Sequence, residues 1–211
     1  MTALLLTAHE ARVLAALVEK SITTPQYYPM TVNAVMLAAN QKNSRNPVLS
    51  LSEGDTGSAL NTLELQGLVA RDDSSARASK WRQRMQNQLL LKAPTLALMA
   101  TLMLRGPQTI AELRANAQAL GGPEDSDGVF AALNDLADRA QPLVTQLARA
   151  PGQKEARYAQ LLCGEVANSA DMDSEAPTGL APRAPTALEA RVLALEEKLA
   201  ALEARLLAAG G

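Results

Sequence analysis

At 211 residues, 47% of them apolar and 20% charged, the chain is long enough for one or two globular domains. Its net charge of −2 excludes a broadly cationic protein, and its single Cys and single His leave no His/Cys metal cluster or Ser-His-Asp set within one chain. Ala and Leu dominate while aromatics make up 2%, which favours helix over strand.

The N-terminus has no basic segment before a long apolar run, as a secretory signal would need, and no stretch approaches membrane-span length. With Cys163 alone no intrachain disulfide forms, which fits a reducing cytosol. Charge is uneven. Residues 1–92 carry ten Lys/Arg against seven Asp/Glu, residues 93–163 six against seven, and residues 164–211 four against eight. A polyanion would prefer the first third.

Thr7-x-x-Glu10 predicts a capped first helix carrying Val13, Leu14, Leu17 and Val18 on one face. Thr24-Pro25-Gln26-Tyr27-Tyr28-Pro29 is an extended stretch, read either as packing or as a docking surface. A second helix follows with Val32, Val35, Met36 and Ala39. The segment from Asn40 to Pro47 joins it to a third, offering Asn40, Gln41, Lys42 and Arg45 as amide and cationic donors. It reads equally as a solvated turn. Ser52 caps the third helix, whose solvent face is expected to include Asp55, Ser58, Asn61, Thr62 and Glu64. Asn61 and Thr62 can read base edges, and the carboxylates oppose phosphate.

Two strand-like segments, Leu68-Val69-Ala70 and Lys80-Trp81-Arg82, flank a polar turn. Alternation places Lys80, Arg82 and Arg84 on one face and Trp81 on the other, with Arg71 and Arg77 nearby. Trp81 is read as a core residue anchoring the hairpin. The basic face has two readings, a phosphate-binding ribbon or charges that discourage edge pairing. Three to five phosphate contacts there imply a slope of log affinity on log salt of about −3 to −4.5.

The plan then repeats. Ser58-Ala59-Leu60-Asn61-Thr62-Leu63 resembles Ala131-Ala132-Leu133-Asn134-Asp135-Leu136, and each run leads to a Leu-Val pair, a polar turn and an aromatic, Trp81 or Tyr158. Pro94 opens the helix carrying Leu98, Met99, Leu102 and Met103, and Thr109-x-x-Glu112 caps the next. Helix, helix, helix, strand, turn, strand is the order of a winged helix; the competing reading is a wingless three-helix bundle. The second copy, crowded by Asp125, Asp127, Asp135 and Asp138, is expected to be structural or to bind a protein.

The acidic, Ala/Pro/Ser-rich stretch 164–185 reads as a flexible linker. Beyond it Leu188, Val192, Leu195, Leu199, Leu202 and Leu206 form an a/d heptad seam. Its e positions are Glu189, Glu196 and Glu203, and its g positions Arg191, Lys198 and Arg205. Parallel pairing sets g against e with opposite signs, whereas antiparallel pairing sets Glu against Glu. The alternative is a helix that packs back on its own domains.

Thr23-Thr24-Pro25-x-x-Tyr28-Pro29, Val32-Asn33-Ala34-Val35, Asn40-Gln41-Lys42, Arg45, Pro47-Val48 and Leu51-Ser52-Glu53, with Glu10-Ala11-Arg12-Val13-Leu14 and Glu19-Lys20 before them, resemble the YceH-type family of bacterial proteins. The pattern spans residues 7–85, and the domain plan carries the likeness to about residue 163. The resemblance implies a pair of winged-helix domains; the zipper lies outside it.

The expectation is therefore a mainly α protein with small β-hairpins: winged-helix domains over 1–92 and 93–163, a linker over 164–185 and a coiled-coil helix over 186–209. It is expected to be cytoplasmic, non-enzymatic and without a cofactor. It should form a parallel homodimer that binds DNA, in a regulatory role, through the first wing and the loop between helices two and three. The alternative is a protein–protein interaction scaffold.

Overall fold

The computed structural model describes residues 4–72, 79–149 and 155–164. Arg77, the linker beyond Gly164 and the heptad segment lie outside these residues. The protein is mainly helical, with two small antiparallel sheets.

Helix α1 (Ala8–Thr23) starts where the sequence signals it. Thr7 Oγ1 accepts from the Glu10 N–H at 3.2 Å, and the Glu10 carboxylate accepts from the Thr7 N–H at 2.8 Å. Thr31 caps α2 (Val32–Ala39). The Ser52–Asp55 capping box opens α3 (Glu53–Leu65). A Schellman turn ends α3: the Leu68 N–H reaches Leu63 O at 2.9 Å and the Gly67 N–H reaches Glu64 O at 3.0 Å. Gly67 sits at φ +74°, a conformation that favours residues without Cβ.

Strand β1 (Val69–Asp72) then pairs with β2 (Lys80–Gln83), Ala70 opposite Arg82 and Arg71 opposite Trp81. Strand alternation ends at Gln83. Arg84 leaves the strand and precedes a further helical turn, α4 (Met85–Gln88), without a side-chain capping bond; the alternating pattern did not suggest this turn.

The second copy runs α5 (Ala93–Arg105), α6 (Ile110–Ala117), α7 (Ser126–Ala137), β3 (Val144–Gln146) and β4 (Tyr158–Gln160). Its caps follow the same chemistry: Pro94 lies in the first turn of α5, Thr109 and Glu112 form a capping box on α6, and Asp125 caps α7. The aromatics hold equivalent places. Trp81 exchanges two backbone hydrogen bonds with Met30, and Tyr158 exchanges two with Gln108.

Helices α1 and α5 pack against each other and carry the centre of the molecule. Neither shows a simple amphipathic stripe over its middle: Ala11–Val18 and Thr95–Leu104 are buried throughout. Small side chains, Ala15, Ala16, Ala97 and Ala100, permit close approach of two helices enclosed on all sides. The Thr95 and Thr101 hydroxyls donate to Lys92 O and Ala97 O at 2.9 and 2.7 Å, so both buried hydroxyls of α5 are satisfied. One continuous core runs from Leu6 to Leu162. Among the described residues no helix is long and apolar enough to cross a membrane.

Candidate nucleic-acid interface

Helix α3 and the β1–β2 hairpin lie side by side, fastened by Arg71. Its guanidinium donates to Glu64 Oε2 and Asn61 Oδ1, both at 3.1 Å, and its carbon stands 4.7 Å from the Trp81 ring centroid. The backbone N–H of Arg71 also reaches Glu64, at 3.2 Å. Arg71 and Trp81 are directly opposed across the strands and so share the inward-leaning face, Trp81 buried and Arg71 at its rim. Three interactions on one guanidinium fix the angle between helix and hairpin.

Lys80 and Arg82 take the outer face with Ala70 and Asp72. Arg82 pairs with the Asp72 carboxylate while its side chain stays 51% exposed. Lys80 and Arg84 have no carboxylate partner among the described residues, and Arg84 is exposed. Of the five expected wing cations, four lie among the described residues: Arg71 is committed to the fold, Lys80 is half-buried and Arg82 paired with Asp72 on the outer face, and Arg84 is exposed beyond the strand. Along α3, Asp55, Ser58 and Asn61 are exposed, with Thr62 and Glu64 half-buried. The Asp55 carboxyl lies below its ordinary range because the Ser52 hydroxyl and N–H bond it. Asn61, itself exposed, gives its carbonyl oxygen to Arg71. Thr62 turns its hydroxyl to Ser58 O at 3.2 Å.

Tyr28 positions the hairpin from behind. Its hydroxyl accepts from the Gln83 N–H, and burial pushes the phenol up to about 12 despite that bond and the nearby Arg82 charge. Tyr28 is thus the packing member of the Thr24–Pro29 stretch, and Tyr27 is exposed.

The loop between α2 and α3 is built as a clasp. Arg45, read in the sequence among exposed donors, is 6% exposed. It grips both Glu19 oxygens at 3.1 and 2.6 Å and donates to Ala38 O and Gln41 Oε1. Burial alone would raise the Glu19 carboxyl, but the Arg45 hydrogen bonds and charge outweigh it and hold it below its ordinary value. Asn40 exchanges two 2.8 Å hydrogen bonds with the Leu51 backbone. Asn40 and Arg45 therefore shape the loop and deliver Ser52 to the start of α3. Gln41 and Lys42 are exposed. No local pattern marks the Glu19–Arg45 pair, because its members are 26 residues apart.

In the second copy Arg157 is spent on Glu112, at 3.0 and 3.1 Å, and on Pro107 O. Asp127, Asp135 and Asp138 line exposed positions of α7 and its end. No group of three or more His, Cys, Asp or Glu side chains among the described residues is placed to hold a metal ion.

A family model described as "Protein of unknown function, DUF480" matches residues 6–153. The UPF0502 protein of Pelobacter propionicus is 43% identical over 200 residues, covering 92% of this chain and 91% of that one. One from Xanthomonas campestris pv. campestris is 46% identical over 211 residues, covering 95% and 94%. One from Geobacter metallireducens is 41% identical over 194 residues, covering 92% and 85%.

Proposed function

Because the chain belongs to the bacterial family described as DUF480, and neither that description nor its relatives' names state an activity, we propose from the hairpin surface itself that it is a non-enzymatic, DNA-binding protein of regulatory type. In this reading two winged-helix domains, 1–92 and 93–163, are joined through the linker 164–185 to a coiled-coil helix over 186–209. That helix pairs two chains in parallel in the cytoplasm. The observation that carries the proposal is the outer face of β2, where Lys80 and Arg82 stand on the side away from Trp81, with the exposed Arg84 just beyond the strand. Phosphates would neutralise the three cations, and α3, held by Arg71, would present Asn61 to a groove. Lys42 and Gln41 would add backbone contacts.

Fluorescence anisotropy of random duplex DNA at about 20 and 150 mM salt tests this, because phosphate contacts release counterions. Salt-sensitive binding that weakens in Arg82→Ala and Arg84→Ala supports it; no binding at the lower salt refutes it. The second reading, a protein-interaction scaffold, draws on the acidic exposed side of α7 and on Phe130 beside it, 49% exposed. It predicts no DNA binding at either salt concentration.

A further inference from the structure

A cavity of about 240 Å³ lies where α1, the α2–α3 loop, α5 and β4 meet. Ala8, Ala11, Leu49, Leu102 and Met103 make it largely apolar, and Cys163 lines it as well. Arg12 is the one charged residue in its wall.

Arg12 is unusual among the buried groups. It is 3% exposed and makes no ion pair with a carboxylate among the described residues. Its guanidinium donates to Pro47 O at 2.7 Å and to Ala39 O at 3.4 Å, and its Nε is buried with no partner. The nearby charges do not relieve it. Glu19 is gripped by Arg45, and the Glu10 carboxylate accepts from the Thr7 N–H within the α1 capping box. Burial and the Arg45 charge both act against the cation, lowering the Arg12 pKa. A buried guanidinium with an unused donor, facing only neutral acceptors, is costly unless an anion completes it.

The geometry points to a binding site for a small carboxylate with an apolar tail, its carboxylate on Arg12 and its tail among Leu49, Leu102 and Met103. The size fits: an engineered apolar cavity of about 150 Å³ accommodates benzene, so this one has room for a short chain and its head group. Mostly apolar walls with one convergent polar group are the usual composition of small-ligand sites. Carboxylate and guanidinium pair through charge-assisted hydrogen bonds. The site stands independently of the DNA-binding reading.

Cys163 is the only cysteine, so its alkylation reports the cavity in the full-length protein. With iodoacetamide as reagent, hexanoate is expected to protect Cys163 saturably and 1-hexanol to need at least about tenfold higher concentration for the same effect. In ¹⁵N spectra, the Arg12 Nε–H resonance should shift along the same hexanoate titration. Arg12→Gln, folded as judged by circular dichroism, should lose the preference for acid over alcohol. Equal protection by acid and alcohol, no protection by either, or an unaltered preference in folded Arg12→Gln would overturn the assignment. If that variant does not fold, the acid–alcohol comparison on the wild-type protein decides alone.

Discussion

Replacing Arg45 with Ala tests whether the α2–α3 loop is held by a buried ion pair or merely rests on the surface. The wild-type side chain has no exposed area, and its Glu19 partner keeps 14%. Truncation therefore leaves a carboxylate largely cut off from water and strips Ala38 O of its side-chain donor. Breaking one partner out of a buried pair costs about 3–5 kcal/mol. For a protein of this size each kcal/mol lowers Tm by about 2–4 °C, so Arg45→Ala should melt roughly 6–20 °C below wild type near pH 7. The pH dependence supplies a second arm. The folded Glu19 carboxyl titrates below its ordinary value of 4.5. Its contribution is therefore complete above that value and is lost as pH falls through the lower folded one. The gap between wild type and Arg45→Ala should narrow in that acid range. Circular-dichroism melting at pH 7 and in steps below pH 5 measures both. A Tm within about 2 °C of wild type at pH 7, less than 1 kcal/mol on the same scale, refutes the clasp.

Three further outcomes follow from the same geometry. With Lys80, Arg82 and Arg84 as the phosphate contacts, each engaged wing should contribute about −2.7 to the slope of log affinity on log salt, and each single Ala variant should remove about 0.9 of it; anisotropy across a salt series reads this. Gly67→Ala should destabilise by about 1–2 kcal/mol, because the Schellman turn requires a left-handed residue, and urea unfolding checks it. Leu195→Glu with Leu202→Glu should turn a dimer into single chains in sedimentation velocity if the heptad seam pairs two copies; a wild-type protein that sediments only as single chains at high concentration would remove that part of the proposal.

Much of the fold could be read in the sequence because its signals are local. Thr7-x-x-Glu10 and Thr109-x-x-Glu112 each place a hydroxyl and a carboxylate where four orphan N–H groups need acceptors, and Ser52 marks the start of α3 by its hydroxyl. Trp81 and Tyr158 marked the two hairpins because each is the large buried residue of a short strand. What escaped was long-range. The Arg45–Glu19 clasp joins a loop to α1, and a run of Asn, Gln, Lys and Arg looks like a contact surface until the buried carboxylate beneath it is known. Arg71 illustrates the same point between α3 and the hairpin. Its distance from Glu64 and its stacking on Trp81 depend on the strand register and on the angle between α3 and the hairpin, neither of which composition specifies. The turn at α4 escaped because Arg84 continues the strand's polar alternation while the backbone has already left it.

DNA binding in the proposed reading depends most heavily on the outward face of β2. Titrating the ¹⁵N-labelled full-length protein with a random-sequence duplex at low salt tests it residue by residue. Shifts clustering at Lys80, Arg82, Arg84 and Asn61, with α7 from Ser126 to Ala137 unmoved, are the predicted result. A spectrum unchanged by DNA, or shifts confined to α7, would contradict it.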